Sequence, residues 1–126
     1  MKTIIKTAKA PAPIGPYNQA VSFGGLLFVS GQIAIDPSSG ALITENIEAE
    51  AHQVLKNIGA ILEEAGLNYE HVIKASVFVK DMHAFSRINE VYAQYFSEAT
   101  APARELVEVA NLPRFVNLEI SVIAAK

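Results

Sequence analysis

The stretch from Pro102 to Pro113, PARELVEVANLP, alternates as a β-strand does, and it carries Arg104 with no phosphate-binding loop or acidic run nearby. The planar fork of N–H donors on such an arginine suits a carboxylate. Strand parity then sorts the possible neighbours. With Val107 and Val109 turned toward the helices, Arg104, Leu106 and Glu108 go to the opposite face. In the last strand Leu118, Ile120 and Val122 take the helix side, which sends Asn117, Glu119 and Ser121 to that same opposite face. In the strand from His71, Ile73, Ala75, Val77 and Val79 point to the helices and Lys74, Ser76 and Phe78 away. Arg104 and Glu119 are therefore expected on one shared, uncovered face, where charges of both signs mix with Leu106 and Phe78. Two readings fit: a polar cleft at a subunit interface that holds a small carboxylate, or an interface ion pair of Arg104 with Glu108 or Glu119.

Other chemistries find little to work with. There is no cysteine, so disulfides and thiolate chemistry are excluded. His52, His71 and His83 share no zinc-ligand spacing, and no Gly-x-Ser-x-Gly or glycine-rich phosphate loop occurs. The histidines are expected at surfaces or element ends. A formal charge of −3 leaves no basic footprint for nucleic acid. No apolar run approaches the ~20 residues needed to cross a bilayer, and the N-terminus lacks a secretory h-region, so a cytoplasmic location is expected.

The elements that must position Arg104 follow from periodicity. A chain of 126 residues suits one domain, spanning residues 1–126. Apolar residues make up 51% and charged residues 18%, a balance that implies burial of some surface against further copies. Pro11, Pro13, Gly15 and Pro16 break the chain before Tyr17, and Gly24-Gly25 divides Gln19–Phe23 from Leu26–Ile33 as a hairpin. Asp36-Pro37-Ser38-Ser39-Gly40 is a turn. From Ile47 to Ala65 apolar residues recur at steps of three and four, with Asn46 to cap the start and Gly66 to close the end. A strand over His71–Lys80 precedes a helix over about Ala84–Ser97 that turns Phe85, Ile88, Tyr92, Tyr95 and Phe96 inward. Strands over Ala103–Val109 and Asn117–Ala124 complete an α+β fold with two helices on one face of a mixed sheet.

Several separated motifs in this order resemble the RidA/YjgF family of reactive intermediate deaminases. They are Ile14-Gly15-Pro16-Tyr17 with Gln19-Ala20, Val29-Ser30-Gly31-Gln32-Ile33, Val77-Phe78-Val79-Lys80-Asp81-Met82, Asn89-Glu90-Val91-Tyr92, Pro102-Ala103-Arg104, and Val107-Glu108-Val109 with Leu112-Pro113. The resemblance covers nearly the whole chain. It implies a chorismate-mutase-like homotrimer with clefts between subunits. It also implies cofactor-free hydrolysis of 2-enamine and 2-imine acids, such as 2-aminoacrylate from pyridoxal-phosphate-dependent serine and threonine dehydratases, to 2-keto acids and ammonia. Position by position, Arg104 matches the residue that grips the substrate carboxylate and Glu119 the acid near the attacking water. Tyr17, Ser30, Gly31 and Asn89 match residues that line the cleft. The chain departs from the family after the arginine, where Glu105 and Leu106 replace a serine followed by cysteine or threonine. By parity Glu105 leaves the cleft face and Leu106 stays in it, so Leu106 enters the substrate-binding set and bears on pocket size.

Each position also has a purely structural reading. Asn89 on the apolar side of the second helix would satisfy neighbouring backbone, Tyr17 would pack after the proline-rich loop, and Ser30-Gly31 would mark a strand kink. Competing functions are a non-catalytic 2-keto acid or small-carboxylate binding protein, a ribonuclease or translation inhibitor as the resemblance also implies, and a chaperone-like role that would ignore Arg104.

Overall fold

The computed structural model describes residues 1–126. Eight elements follow one another: β1 (Thr3–Ile5), β2 (Ala20–Phe23), β3 (Leu26–Gln32), α1 (Ile47–Glu64), β4 (Val72–Val79), α2 (Phe85–Tyr92), β5 (Ala103–Glu108) and β6 (Leu118–Ala125). The six strands form one sheet in the order β1-β2-β3-β6-β4-β5. Only β4 and β5 pair in parallel, because α2 carries the chain back across the sheet between them.

Local chemistry explains the ends of α1. The Asn46 side chain accepts from the Ala49 N–H at 2.8 Å, and Glu48 and Glu50 stand in the first turn, where the helix dipole favours negative charge. Gly66, at φ 76°, lets the Leu67 N–H turn back to the Leu62 carbonyl at 2.9 Å. The apolar stripe of Val54, Leu55, Ile58, Ile61 and Leu62 is fully buried against Val77, Val79, Leu118 and Ile120 of the sheet. Both helices cover this one face, as the sequence predicts.

The structure departs from the expected elements at several points. The N-terminal strand β1 escapes the periodicity argument because three residues are too few to show alternation; it is held by pairing with β2. The second helix stops at Tyr92, after which the Gln94 and Tyr95 N–H groups bond three residues back in tight turns. Tyr92 and Phe96 are buried as expected, but Phe85 at the helix start is 40% exposed. A register shift between Val72 and Lys74 reverses local parity, so Ile73 points outward rather than to the helices.

The correction that matters most concerns β5. Its register sets Arg104 beside Ala75 and Leu106 beside Val77, both core residues on the helix-covered side. Glu105 lies beside Ser76 and Val107 beside Phe78, on the bare side. Parity is therefore the reverse of the expected one. Hydrophobicity misleads here because β5 is an edge strand: Val107 is 41% exposed, while the arginine stem and Leu106 lie along the edge of the helix layer.

Candidate active site

Arg104 is the first residue to account for. Its Nη1 donates to the Asn89 side-chain oxygen on α2 at 2.8 Å, and its guanidinium carbon lies 4.8 Å from the centre of the Tyr92 ring and 5.9 Å from that of Phe85. Asn89 and Tyr92 are three residues apart on α2, so both reach the same neighbour across the β5 edge. None of the chain's ion pairs includes Arg104. Within one chain Arg104 pairs with neither Glu108 nor Glu119: Glu108 accepts instead from the Met82 N–H at 2.8 Å. Arg104 thus lines a cavity of about 730 Å³ with Asn89, Tyr92, Ala93, Phe96, Glu98 and Ala101, its charge held by a neutral amide and an aromatic face.

Tyr92 is the residue that sequence reasoning assigned to packing alone. Its ring stacks on Phe96 at 4.5 Å between centres, and its hydroxyl is buried with no hydrogen-bond partner. Burial pushes the phenol pKa up, while the adjacent Arg104 charge opposes that shift. The spacing of Asn89 and Tyr92 on one helix face was the available signal.

The second group of residues gathers at a bulge in β3. The register of β3 against β6 shifts between Val29 and Gln32, so Ser30-Gly31 is indeed a strand irregularity. The Ser30 hydroxyl donates to the Asn18 carbonyl at 2.6 Å, and the Ser30 N–H donates to the Gln19 carbonyl at 2.9 Å. These two bonds tie the bulge to the loop that bears Tyr17. Gln19 is itself buried, accepting from the Thr7 N–H and donating to the carbonyls of Thr7, Ala10 and Pro11, which anchors the proline-rich segment. Tyr17, 49% exposed, lines a hollow of about 480 Å³ with Lys6, Thr7 and Asn18.

Glu119 meets this bulge from β6. An ideal Cβ built on Gly31 would fall 2.5 Å from Glu119 Oε2, so only glycine leaves room for the carboxylate there. Glu119 is half-buried, and desolvation raises its pKa above the ordinary 4.5 with no donor or cation opposing it. Within one chain Arg104 does not reach this carboxylate, because it lies across the sheet from it.

The other expected residues scatter. Leu106 packs against the core rather than lining the Arg104 cavity, and Glu105 pairs on the bare face with Lys74 at 2.9 Å and with the Ser76 hydroxyl. His71 and His83 sit at turn ends, bonded to the Asn68 N–H and to Asp81. His52 differs from expectation, being half-buried within α1 with its Nδ1 2.8 Å from the Tyr95 hydroxyl. No three His, Asp or Glu side chains stand where they could share a metal ion, and no helix is long and apolar enough to cross a membrane.

Fold and site together define an α+β protein of one six-stranded sheet with a cavity at its edge into which Arg104 turns. The chain matches the sequence model of the family described as Endoribonuclease L-PSP over residues 7–126. It is 47% identical to the 2-iminobutanoate/2-iminopropanoate deaminase of Salmonella typhimurium, across 100% of this chain and 99% of that one. It is 56% identical to a RutC family protein of Synechocystis sp., across 96% and 94%. Among solved structures it is similar to E. coli TdcF with bound serine, at a TM-score of 0.93 and 44% identity over 98% of each chain. The protein belongs to the RidA/YjgF family.

Proposed function

We propose that this protein hydrolyses short 2-imino acids, and their enamine tautomers, to 2-keto acids and ammonia without a cofactor. The observation that carries this reading is the state of Arg104: a guanidinium facing a cavity, steadied by Asn89 and Tyr92, and paired with no carboxylate of its own chain. A substrate carboxylate supplies the missing partner, gripped through two parallel N–H···O bonds. Support comes from relatives: one 47% identical is a 2-iminobutanoate/2-iminopropanoate deaminase, and one 44% identical binds serine, which also carries a carboxylate beside a nitrogen-bearing carbon.

The chemistry asks little of the protein. Protonation of the imine nitrogen leaves an electrophilic carbon; water adds to it, losing a proton, and the carbinolamine collapses to the keto acid with loss of ammonia. Orientation and a placed water suffice. Glu119 takes the proton from the attacking water. Burial within the chain raises its pKa and so favours its action as a base, an effect that an arginine brought into the cleft by the neighbouring subunit would oppose. The Tyr17 hydroxyl and the backbone of Ser30-Gly31 position the nitrogen end.

Within one chain Arg104 and Glu119 face opposite sides of the sheet, so the reaction requires Arg104 from one subunit and the Tyr17, Gly31 and Glu119 group from the next. A homotrimer with three such clefts meets that requirement. The bare sheet face supports it, since Ile4, Phe23, Phe28 and Val107 are exposed there and would be covered by further copies. Leu106, packed inward, would set cavity size only indirectly.

The deciding experiment couples a serine or threonine dehydratase to this protein and follows 2-keto acid release. Wild type is expected to accelerate release. Arg104→Ala is expected to lose about 3–4 kcal/mol of transition-state binding, roughly 10²–10³-fold in kcat/KM. No acceleration by the wild type overturns the reading.

A further inference from the structure

Glu50 is wholly buried on α1, and the proposed reaction does not use it. Both of its oxygens are taken up by one residue: Oε2 accepts from the Asn117 backbone N–H and Oε1 from the Asn117 side-chain amide, each at 2.8 Å. The Asn117 carbonyl accepts from the Lys80 N–H at 3.0 Å, just past the end of β4. Asn117 is thereby clamped between α1 and the sheet, one residue before β6 begins and two before Glu119.

A buried carboxylate is an expensive way to hold a strand. An apolar residue of similar volume often stabilises a core as well or better. The backbone before the clamp adds to the cost, since Arg114 and Phe115 hold φ values of 54° and 56°, a region that bulky residues avoid. Such conformations persist where the surroundings over-determine them, and they gather at functional sites. What the clamp gains is position. The Glu119 carboxylate sits in a seat beside Gly31 too tight for one added carbon, and a shift of about 1 Å in a reacting group can cost on the order of 10²-fold in rate.

We propose that Glu50 is a positioning residue: by clamping Asn117 at the entry to β6, it sets where the Glu119 carboxylate stands. Its kinetic consequence rests on the deaminase reading above, whereas its effect on Glu119 does not. Within the chain Gly31 adjoins Glu119 from β3 and Phe78 from β4, the charges Lys74 and Glu105 on the same face pair with each other, and Lys80 forms no ion pair; in the proposed cleft the partner subunit's Arg104 faces Glu119 as well, and it is the same in wild type and in every variant of the test.

The test uses Glu50→Gln, Asn117→Ala, Asn117→Asp and the double variant E50Q/N117D. In the double variant the amide oxygen at position 50 can accept from the backbone N–H of position 117, while its amide N–H donates to the new carboxylate. Two readouts are taken on the full-length protein: kcat and KM in the coupled dehydratase assay, and the titration of the Glu119 carboxyl by ¹³C NMR. Glu50→Gln is expected to lower kcat roughly tenfold or more with KM changed less than about threefold, and to move the Glu119 titration. Asn117→Ala, which keeps the backbone bond, is expected to move both in the same direction by less, and it carries the test if Glu50→Gln fails to fold. Asn117→Asp alone sets two carboxylates together and is expected to be impaired, while the double variant recovers both readouts. The proposal is overturned if the Glu119 titration is unmoved in Glu50→Gln, or in Asn117→Ala where Glu50→Gln does not fold. It is overturned equally if the double variant regains thermal stability without regaining the Glu119 titration. A wild type without deaminase activity sinks the deaminase reading alone, because the titration still decides the role of Glu50.

Discussion

Arg104 and Glu119 stand on opposite faces of the same sheet. Arg104 registers with Ala75 on the face covered by α1 and α2, and Glu119 registers with Phe78 on the bare face. No side-chain rotation in one chain brings a guanidinium and a carboxylate together through a layer of β-strands.

That separation makes a test of shared sites possible. Arg104→Ala and Glu119→Gln proteins, each expected to be inactive alone, are mixed, dissociated and reassembled. If each site takes its arginine from one subunit and its glutamate from the next, random reassembly restores both in about a quarter of the sites. Recovery near that fraction of wild-type activity is the expected result; a mixture as inactive as its parents places both groups in one chain or in no site.

Gly31→Ala is expected to be the most selective lesion of the bulge. The added carbon meets Glu119 rather than backbone, so the carboxylate must move while the strand stays paired. A loss of kcat of tenfold or more with a stability change of about 1–3 kcal/mol is anticipated. Crystallography of the variant should find the Glu119 carboxylate displaced, and an unmoved carboxylate would refute the account of the seat.

Tyr92 separates ring from hydroxyl. Tyr92→Phe removes a buried hydroxyl that has no partner and keeps the face beneath Arg104, so stability is expected to hold or rise by up to about 1 kcal/mol with KM unchanged. Tyr92→Leu removes the aromatic face and is expected to raise KM by roughly 3–30-fold. Loss of activity in Tyr92→Phe would mean that the hydroxyl finds a partner in the assembled protein.

The pH dependence of stability carries a sign set by Glu119. Burial raises its folded pKa above 4.5, so between 4.5 and that higher value the folded state binds more protons than the unfolded one. Stability therefore falls as pH rises through this window, and the loss is complete above the folded pKa. In an Arg104→Ala background, which removes the charge that a neighbouring subunit would bring to the cleft, Glu119→Gln is expected to melt higher than its Arg104→Ala parent at neutral pH, with the difference vanishing as the pH drops below 4.5. Thermal melts from pH 4 to pH 8 measure it, and a double variant less stable than that parent at pH 7 would contradict the assignment of burial as the cause.

Helix α1 was legible because its signals are local and agree: a capping asparagine, a stripe of Val54, Leu55, Ile58, Ile61 and Leu62, and a closing glycine lie within one stretch of chain. The residues singled out by the RidA/YjgF motifs were also legible, but the way they gather was not. Alternation along a strand states that neighbours face opposite ways; it does not state which way is inward. For β4 and β6 burial of Val77, Val79, Leu118 and Ile120 settled that choice correctly. On the edge strand β5 the valine pair Val107 and Val109 was the wrong guide, because Arg104 buries its stem beside Tyr92 while Val107 is left on the bare face.

By itself the sequence determined the ends of α1, the hairpin, the two-layer arrangement and the identity of an arginine and a glutamate worth testing, since each rests on periodicity or a short motif within one segment. Only the tertiary structure decided that Arg104 turns toward α2 and Glu119 away from it, that the missing side chain of Gly31 leaves room for a carboxylate, and that Glu50 reaches Asn117 across sixty-seven positions of chain. Those are contacts between residues far apart in sequence, and no periodicity along the chain encodes which distant side chains a folded sheet brings together.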